Sequence, residues 1–290
     1  MRTTARAALR PAGGPVWLAV MAAGIGCGMP SGGEVDAPVD FAFVLEHARR
    51  ADAAYLPDET IRARFGPEHP VAVSDLAPLD VRAFVEHDEA RRIQWIAVRG
   101  TANLANVEED ADYDKRFAER LGAPVHHGFM RDAHAVWSFA RPLLRDGYET
   151  RVTGHSLGGA VAAVVLMRLR VDGVRLGRSV TFGQPKVTTE EGVARYRELP
   201  LLRVVNHDDP VPLLPWETPG AVRGGLFRHF GRELWLDDKG TWELFAEHQA
   251  ERYRLTSFLE RLGQGDVLEH KMDRYLARLE KIAAEAPASK

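Results

Sequence analysis

The stretch Gly154-His155-Ser156-Leu157-Gly158-Gly159 constrains this chain more than any other. A β-prone run, Thr150 to Thr153, precedes it, and an Ala/Val/Leu/Met-rich run from Ala160 to Arg168 follows it. A G-x-S-x-G string set between strand and helix demands a sharp reversal that lifts the serine hydroxyl clear of a sheet. Gly154 and Gly158 lack side chains, so strand and helix can pass closely on either side of a strained Ser156 backbone. The helix start brings N–H groups with partial positive charge beside the serine, and the Leu157 N–H is placed to hold an oxyanion. The competing reading is a serine N-cap on a Gly-rich turn. The strand–turn–helix setting favours the nucleophile.

A serine is a poor nucleophile at neutral pH and needs a base, which in turn needs an orienting carboxylate. Around such a bend the partners follow in the order Ser, acid, His. The candidate acids are Asp208 and Asp209, after a strand at 201–206, where a carboxylate falls on the edge of a parallel sheet at which sites collect. They would point differently, so one serves, and the rival reading of either is a solvated turn residue before Pro210. The downstream histidines are His229, His248 and His270. His229 sits in a strand-like run and reads as structural, His248 lies in a polar stretch, and His270 opens the last helix after a Gly-rich turn. His155 adjoins the nucleophile, but neighbours at a tight bend diverge, which makes it a poor base. Spacing alone leaves the choice open, with His270 the leading candidate.

The rest of the chain supplies a frame for these residues. Helical spacing runs over about 39–56, 127–145, 157–171, 188–197 and 266–284, and strands are expected at 80–86, 92–99, 149–154, 178–182 and 201–206. Two hairpins are expected, one turning at His87-Asp88-Glu89 and one at Asp237-Asp238-Lys239-Gly240. Strand alternating with helix predicts an α/β domain, a mostly parallel sheet with helices on both faces. Charged residues make up 27% and hydrophobic ones 45% of the 290 residues, which excludes wholesale disorder. The net charge of −3 comes with scattered basic residues, so the basic stripe of a nucleic-acid binder is missing. One cysteine permits neither an intramolecular disulfide nor a Cys-rich zinc site.

That cysteine closes an export signal. Residues 1–14 carry Arg2, Arg6 and Arg10 and no acid, and residues 15–26 are apolar or small, too brief for a relaxed bilayer span. With Cys27 directly after Ile25-Gly26, the segment resembles a bacterial lipoprotein signal. Gly24 stands where such signals carry a large aliphatic residue, and ordinary secretion is the alternative. The expected organisation is a signal peptide at 1–26, a Gly/Pro-rich tether at 27–38 and one domain at 39–290. An acylated Cys27 would anchor the chain to a membrane of the cell envelope by lipid.

Six segments in order resemble the class 3 lipases, the fungal-lipase-like group of α/β-hydrolases. Ile96-Ala97-Val98-Arg99-Gly100-Thr101 is similar to the family strand ending in R-G-[ST], and Val125-His126-His127-Gly128-Phe129 to its V-H-x-G-F. The Gly154 to Gly159 stretch matches its elbow, and Val180 to Val187 resembles T-F-G-x-P-[RK]-V. Arg203 to Pro212 looks like its acid loop, and His270-Lys271-Met272-Asp273-Arg274-Tyr275 like its H-x-M-x-x-Y. The resemblance spans about 90–280. It implies an α/β-hydrolase fold, Ser156 as nucleophile, Asp209 as acid, His270 as base, and Thr101 with the Leu157 N–H as oxyanion hole. It implies no metal and no organic cofactor, and a lipid or small ester as partner. The function expected is acylglycerol ester hydrolysis. The alternatives are a phospholipase A1, a short-chain carboxylesterase, or a lipid-anchored binding protein without turnover.

Where fungal members carry an amphipathic lid, residues 102–113 here hold only Leu104, Val107 and Tyr113 as sizeable apolar groups, beside four acids. Such a flap covers little apolar surface. The expectation is weak interfacial activation and poor activity on anionic lipid aggregates, which the acids repel.

Overall fold

The computed structural model describes residues 39–100, 114–215, 225–246 and 267–285. Cys27, Thr101, the 102–113 segment and His248 lie outside the described residues. Eight strands make the main sheet: β1 (Val71–Asp75), β2 (Arg82–Asp88), β3 (Ile93–Val98), β6 (Glu149–His155), β7 (Ser179–Phe182), β9 (Leu201–Asn206), β11 (Arg232–Leu236) and β12 (Trp242–Phe245). They lie side by side in that order. From β3 through β6, β7, β9 and β11 each neighbour runs parallel to the last, while β1–β2, β2–β3 and β11–β12 are antiparallel pairs. A small antiparallel sheet joins β10 (Phe227–Arg228), β8 (Thr188–Thr189), β5 (Ala123–His126) and β4 (Lys115–Ala118).

The parallel strands are buried on both faces, and β3 and β7 show no exposed position at all. Alternation along β3 assigns the two sides. Ile96 and Val98 join the core formed with α3 (His127–Ala140) and α4 (Leu157–Val171). Trp95 and Ala97 face the other layer, where α1 (Phe41–Ala53) and α2 (Asp58–Phe65) pack. Asp40 caps α1 by accepting the Phe43 N–H at 3.0 Å, and Phe41, Val44, Leu45, Ala48 and Ala51 bury its inner stripe. The helix α4 is buried on nearly every side, as befits the element behind the elbow. A short α5 (Glu190–Tyr196) follows β8, and α6 (Met272–Glu285) packs beside α1 through Met272, Tyr275, Leu279 and Ile282. From Asp40 onward the chain is one unit.

Several expected boundaries shift. His87 and Asp88 belong to β2, and the hairpin turns at 89–92 instead. The last helix begins at Met272, and 267–270 form a separate 3-10 turn on which Leu268 is 47% exposed. The elements β1, α2, β4, β5 and β8 had no counterpart in the expected order, whereas β10 falls in the strand-like run around His229. Each is short, and β1 carries no burial pattern strong enough to read, with four of its five residues half-buried.

Candidate active site

Ser156 stands between β6 and α4 with φ 59° and ψ −133°, a left-handed conformation for a residue with a side chain. Such a geometry costs roughly 1–3 kcal/mol and persists only where the surroundings enforce it. Here the Ser156 N–H donates to the Phe182 carbonyl at 2.9 Å, and the Ser156 carbonyl accepts the Gly159 N–H at 2.9 Å. A Cβ on Gly158 would meet the Val98 carbonyl oxygen at 2.4 Å, so only glycine lets α4 start against the end of β3. The first turn of α4, with Leu157 as its first residue, therefore begins against the end of the sheet.

Asp209 follows β9 and is buried, 2% exposed. One oxygen, Oδ1, accepts the Val211 N–H at 2.9 Å. The other, Oδ2, lies 2.8 Å from His270 Nδ1 and accepts the Tyr275 hydroxyl. Burial disfavours the carboxylate, but the His270 ring, the Tyr275 hydroxyl and the Val211 N–H outweigh it, and Asp209 titrates below its ordinary value. A carboxylate only accepts, so His270 Nδ1 carries the proton and Nε2 is left as an acceptor. Asp208 is half-buried, beside His207 Nε2 at 3.4 Å.

Gly183, at the end of β7, makes room for this pair. Its φ is +55°, and a Cβ there would lie 2.8 Å from His270 Cε1 and 2.9 Å from Asp209 Oδ2. Ser156 Oγ and His270 Nε2 are both buried, and neither has a hydrogen-bond partner among the described residues. The structure thus joins Asp209 to His270 but leaves the serine and the imidazole unbonded. The two unpaired atoms are chemically complementary, one a donor and one an acceptor, and such pairs commonly close up only around a substrate.

His155 serves the frame. Its Nε2 donates to the His270 backbone carbonyl at 2.6 Å, and its Nδ1 accepts the Tyr55 hydroxyl at 2.8 Å. Tyr55 in turn accepts the Gly100 N–H at 3.1 Å. Burial and the neighbouring His270 push the His155 imidazole down to about 3, so it stays neutral. The rings of His155 and His270 lie 4.7 Å apart. His229 Nε2 is 2.8 Å from the carbonyl of Pro212, the last residue of the acid loop. Tyr55 carries no sequence signal of this contact, which reaches across 100 residues. Tyr275 carries one, since it stands five residues after His270 in the H-x-M-x-x-Y segment.

Residues 95–218 match the lipase (class 3) family. The chain is a relative of the class 3 lipases. It is 31% identical over 228 residues to a secreted mono- and diacylglycerol lipase of Fusarium solani, covering 68% of this chain and 63% of that protein. It is 30% identical over 173 residues to a lipase of Rhizomucor miehei, covering 55% of this chain and 46% of that one. The chain therefore spans less than two thirds of the length of either relative. Among solved structures, the lipase of Rhizopus microsporus var. chinensis superposes with a TM-score of 0.66 at 22% identity, covering 81% of this chain and 88% of that one. The Rhizomucor miehei triacylglyceride lipase gives 0.66 at 23%, covering 81% and 94%. This class 3 lipase relative has the α/β-hydrolase fold.

Proposed function

We propose that the chain is a serine hydrolase that cleaves carboxylic esters of acylglycerol lipids through an acyl-enzyme. The observation that carries this reading is the buried Asp209–His270 pair, which leaves His270 Nε2 an unpaired acceptor, in a chain whose strained Ser156 has an Oγ that is likewise buried and unpaired among the described residues. Ser156 acts as nucleophile. His270 Nε2 takes the Ser156 proton as Oγ bonds to the ester carbonyl carbon. The carbonyl oxygen gains the negative charge and is held by the Leu157 N–H and by Thr101, at roughly 3 kcal/mol per donor. Collapse expels the alcohol, which takes the proton from His270. Water then attacks the acyl-enzyme with His270 as base, releasing the acid and restoring Ser156. Asp209 keeps the Nδ1–H tautomer throughout and stabilises the imidazolium.

The name of the Fusarium solani relative supports acylglycerols as the substrate class. Export belongs to the same reading, since the residues before Cys27 have the pattern of a signal peptide and the Fusarium solani relative is secreted by name. Acylation of Cys27 extends it, and replacing Cys27 with Ser should then move the protein out of the membrane fraction. The test of activity is the initial rate on p-nitrophenyl esters of two to sixteen carbons and on mono-, di- and triacylglycerols, with a fluorophosphonate probe in parallel. Ser156→Ala should lose both turnover and labelling. Labelling that persists in Ser156→Ala overturns the proposal, and phospholipid cleaved faster than acylglycerol replaces the substrate class.

A further inference from the structure

His270 arrives on a single 3-10 turn, 267–270, and turns of this kind have poorer hydrogen-bond geometry than an α-helix, so they hold a side chain weakly by themselves. Three side chains do that work, and we infer that Asn206, Glu269 and Arg278 are the positioning residues of the base. This inference rests on His270 being the general base proposed above.

Asn206 is the last residue of β9 and is fully buried. Its Nδ2 donates to two oxygens of Glu269, the backbone carbonyl at 2.8 Å and Oε2 at 2.8 Å. Its Oδ1 accepts from Arg278 Nη1, and Arg278 Nη2 closes the ring to Glu269 Oε2 at 3.1 Å. A guanidinium only donates and a carboxylate only accepts, so the amide orientation is dictated by its neighbours. Every hydrogen-bonding group of the Asn206 side chain is thereby used.

The geometry explains why this ring bears on chemistry. The Glu269 carbonyl belongs to the peptide plane entering His270, and the His270 carbonyl to the plane leaving it. Asn206 holds the first, and His155 Nε2 holds the second. Peptide units are rigid, so fixing two successive planes fixes φ and ψ of the residue between them and hence the direction of its Cα–Cβ bond. The same Asn206 also accepts the Asp209 N–H through its backbone carbonyl at 2.9 Å. One residue thus references both the acid and the base, and sets the 2.8 Å contact between them. Arg278, two turns into α6, transmits the seating of that helix to the amide.

The test is steady-state kinetics on a soluble p-nitrophenyl ester, with thermal unfolding of each variant and His270→Ala as control. Asn206→Asp keeps the shape and the backbone bond to Asp209, but it removes both donors and sets a carboxylate against Glu269. Misplacement of a base by a fraction of an ångström lowers kcat, and we expect a fall of about tenfold or more with KM within about twofold. Glu269→Gln keeps an acceptor for Asn206 and should stay within about threefold of the parent, whereas Glu269→Ala should fall further. The double variant Asn206→Asp with Glu269→Gln restores the side-chain bond alone, with donor and acceptor exchanged, and should recover part of the lost kcat. A merely structural role would move the unfolding midpoint without this recovery. If Asn206→Asp does not fold, Arg278→Met carries the test, because it leaves both amide donor bonds in place; its expected signature is a lower kcat at constant KM. Folded variants with unchanged kcat overturn the positioning role while His270→Ala still abolishes turnover. Turnover that survives His270→Ala overturns the base assignment itself, and the inference with it.

Discussion

The imidazole of His155 donates to the backbone carbonyl of His270 at 2.6 Å, so the residue before the elbow serine holds the loop that brings the other imidazole. On its far side the same ring accepts the hydroxyl of Tyr55, which also accepts the Gly100 N–H. Tyr55→Phe removes one donor and one acceptor from this line at once. Loss of a hydrogen bond to a buried partner costs about 1–3 kcal/mol, and kcat should fall by about fivefold or more while KM holds. Steady-state kinetics of Tyr55→Phe at constant temperature checks this. A parent-like kcat removes Tyr55 from the frame.

Gly183→Ala should be more severe. The added methyl would lie 2.8 Å from the His270 ring and 2.9 Å from Asp209 Oδ2, at a backbone φ of +55°. Relief requires the pair to separate, and separation removes the stabilisation of the imidazolium. We expect ester turnover to drop by about a hundredfold or more. Labelling with a fluorophosphonate, followed over time, gives the same comparison without a substrate, and parent-like labelling refutes it.

Acid should unfold this protein early. His155 and His47 are both fully buried and both pushed down to about 3 from 6.5. For His47 burial dominates, opposed by the Phe43 carbonyl and reinforced by Arg151 and Arg50. Between those two pH values the unfolded chain holds protons that the folded chain does not. Stability is therefore complete above about pH 6.5 and is lost as pH falls toward 3, at about 1.4 kcal/mol per pH unit for each histidine. Urea midpoints measured from pH 7 to pH 4.5 should decline steeply, and His47→Gln should flatten the slope. Midpoints that stay level across this range contradict the assignment of neutral histidines.

A buried ion pair ties α1 to the sheet. Arg50 donates to both carboxylate oxygens of Glu86 at 2.7 Å and lies 3.9 Å above the Trp95 ring. Glu86→Leu removes the bidentate partner of the guanidinium, leaving it the weaker contacts to Glu46, and should cost about 3–5 kcal/mol in urea unfolding, while the double variant with Arg50→Met should cost much less than the sum of the two single changes. Additive losses would show that the two residues act independently.

The sequence made the elbow legible because its constraint is local. Two glycines, a serine and their flanking runs sit within a dozen residues, and the elements on either side, Glu149–His155 and Leu157–Val171, fall where alternation and helical spacing put them. The pairing of Asp209 with His270 was open from spacing, since Asp208 offered the same chemistry one residue away. What separates them is burial and the direction of approach of a loop 61 residues later, which no local pattern records. Tyr55, Asn206, Glu269 and Arg278 went unread for the same reason. Each is an ordinary helix, strand or turn residue until the fold closes. Thr101 and the acidic 102–113 segment lie outside the described residues, and the expectation of weak interfacial activation still awaits a rate measurement across the solubility limit of tributyrin.

The contacts that hold His270 in place connect segments 61 and 115 residues apart along the chain. Loops of that size close late, after the local hairpins and helices have formed. Refolding from denaturant should accordingly regain its far-ultraviolet dichroism before it regains esterase turnover, so that activity becomes the reporter of the final docking event.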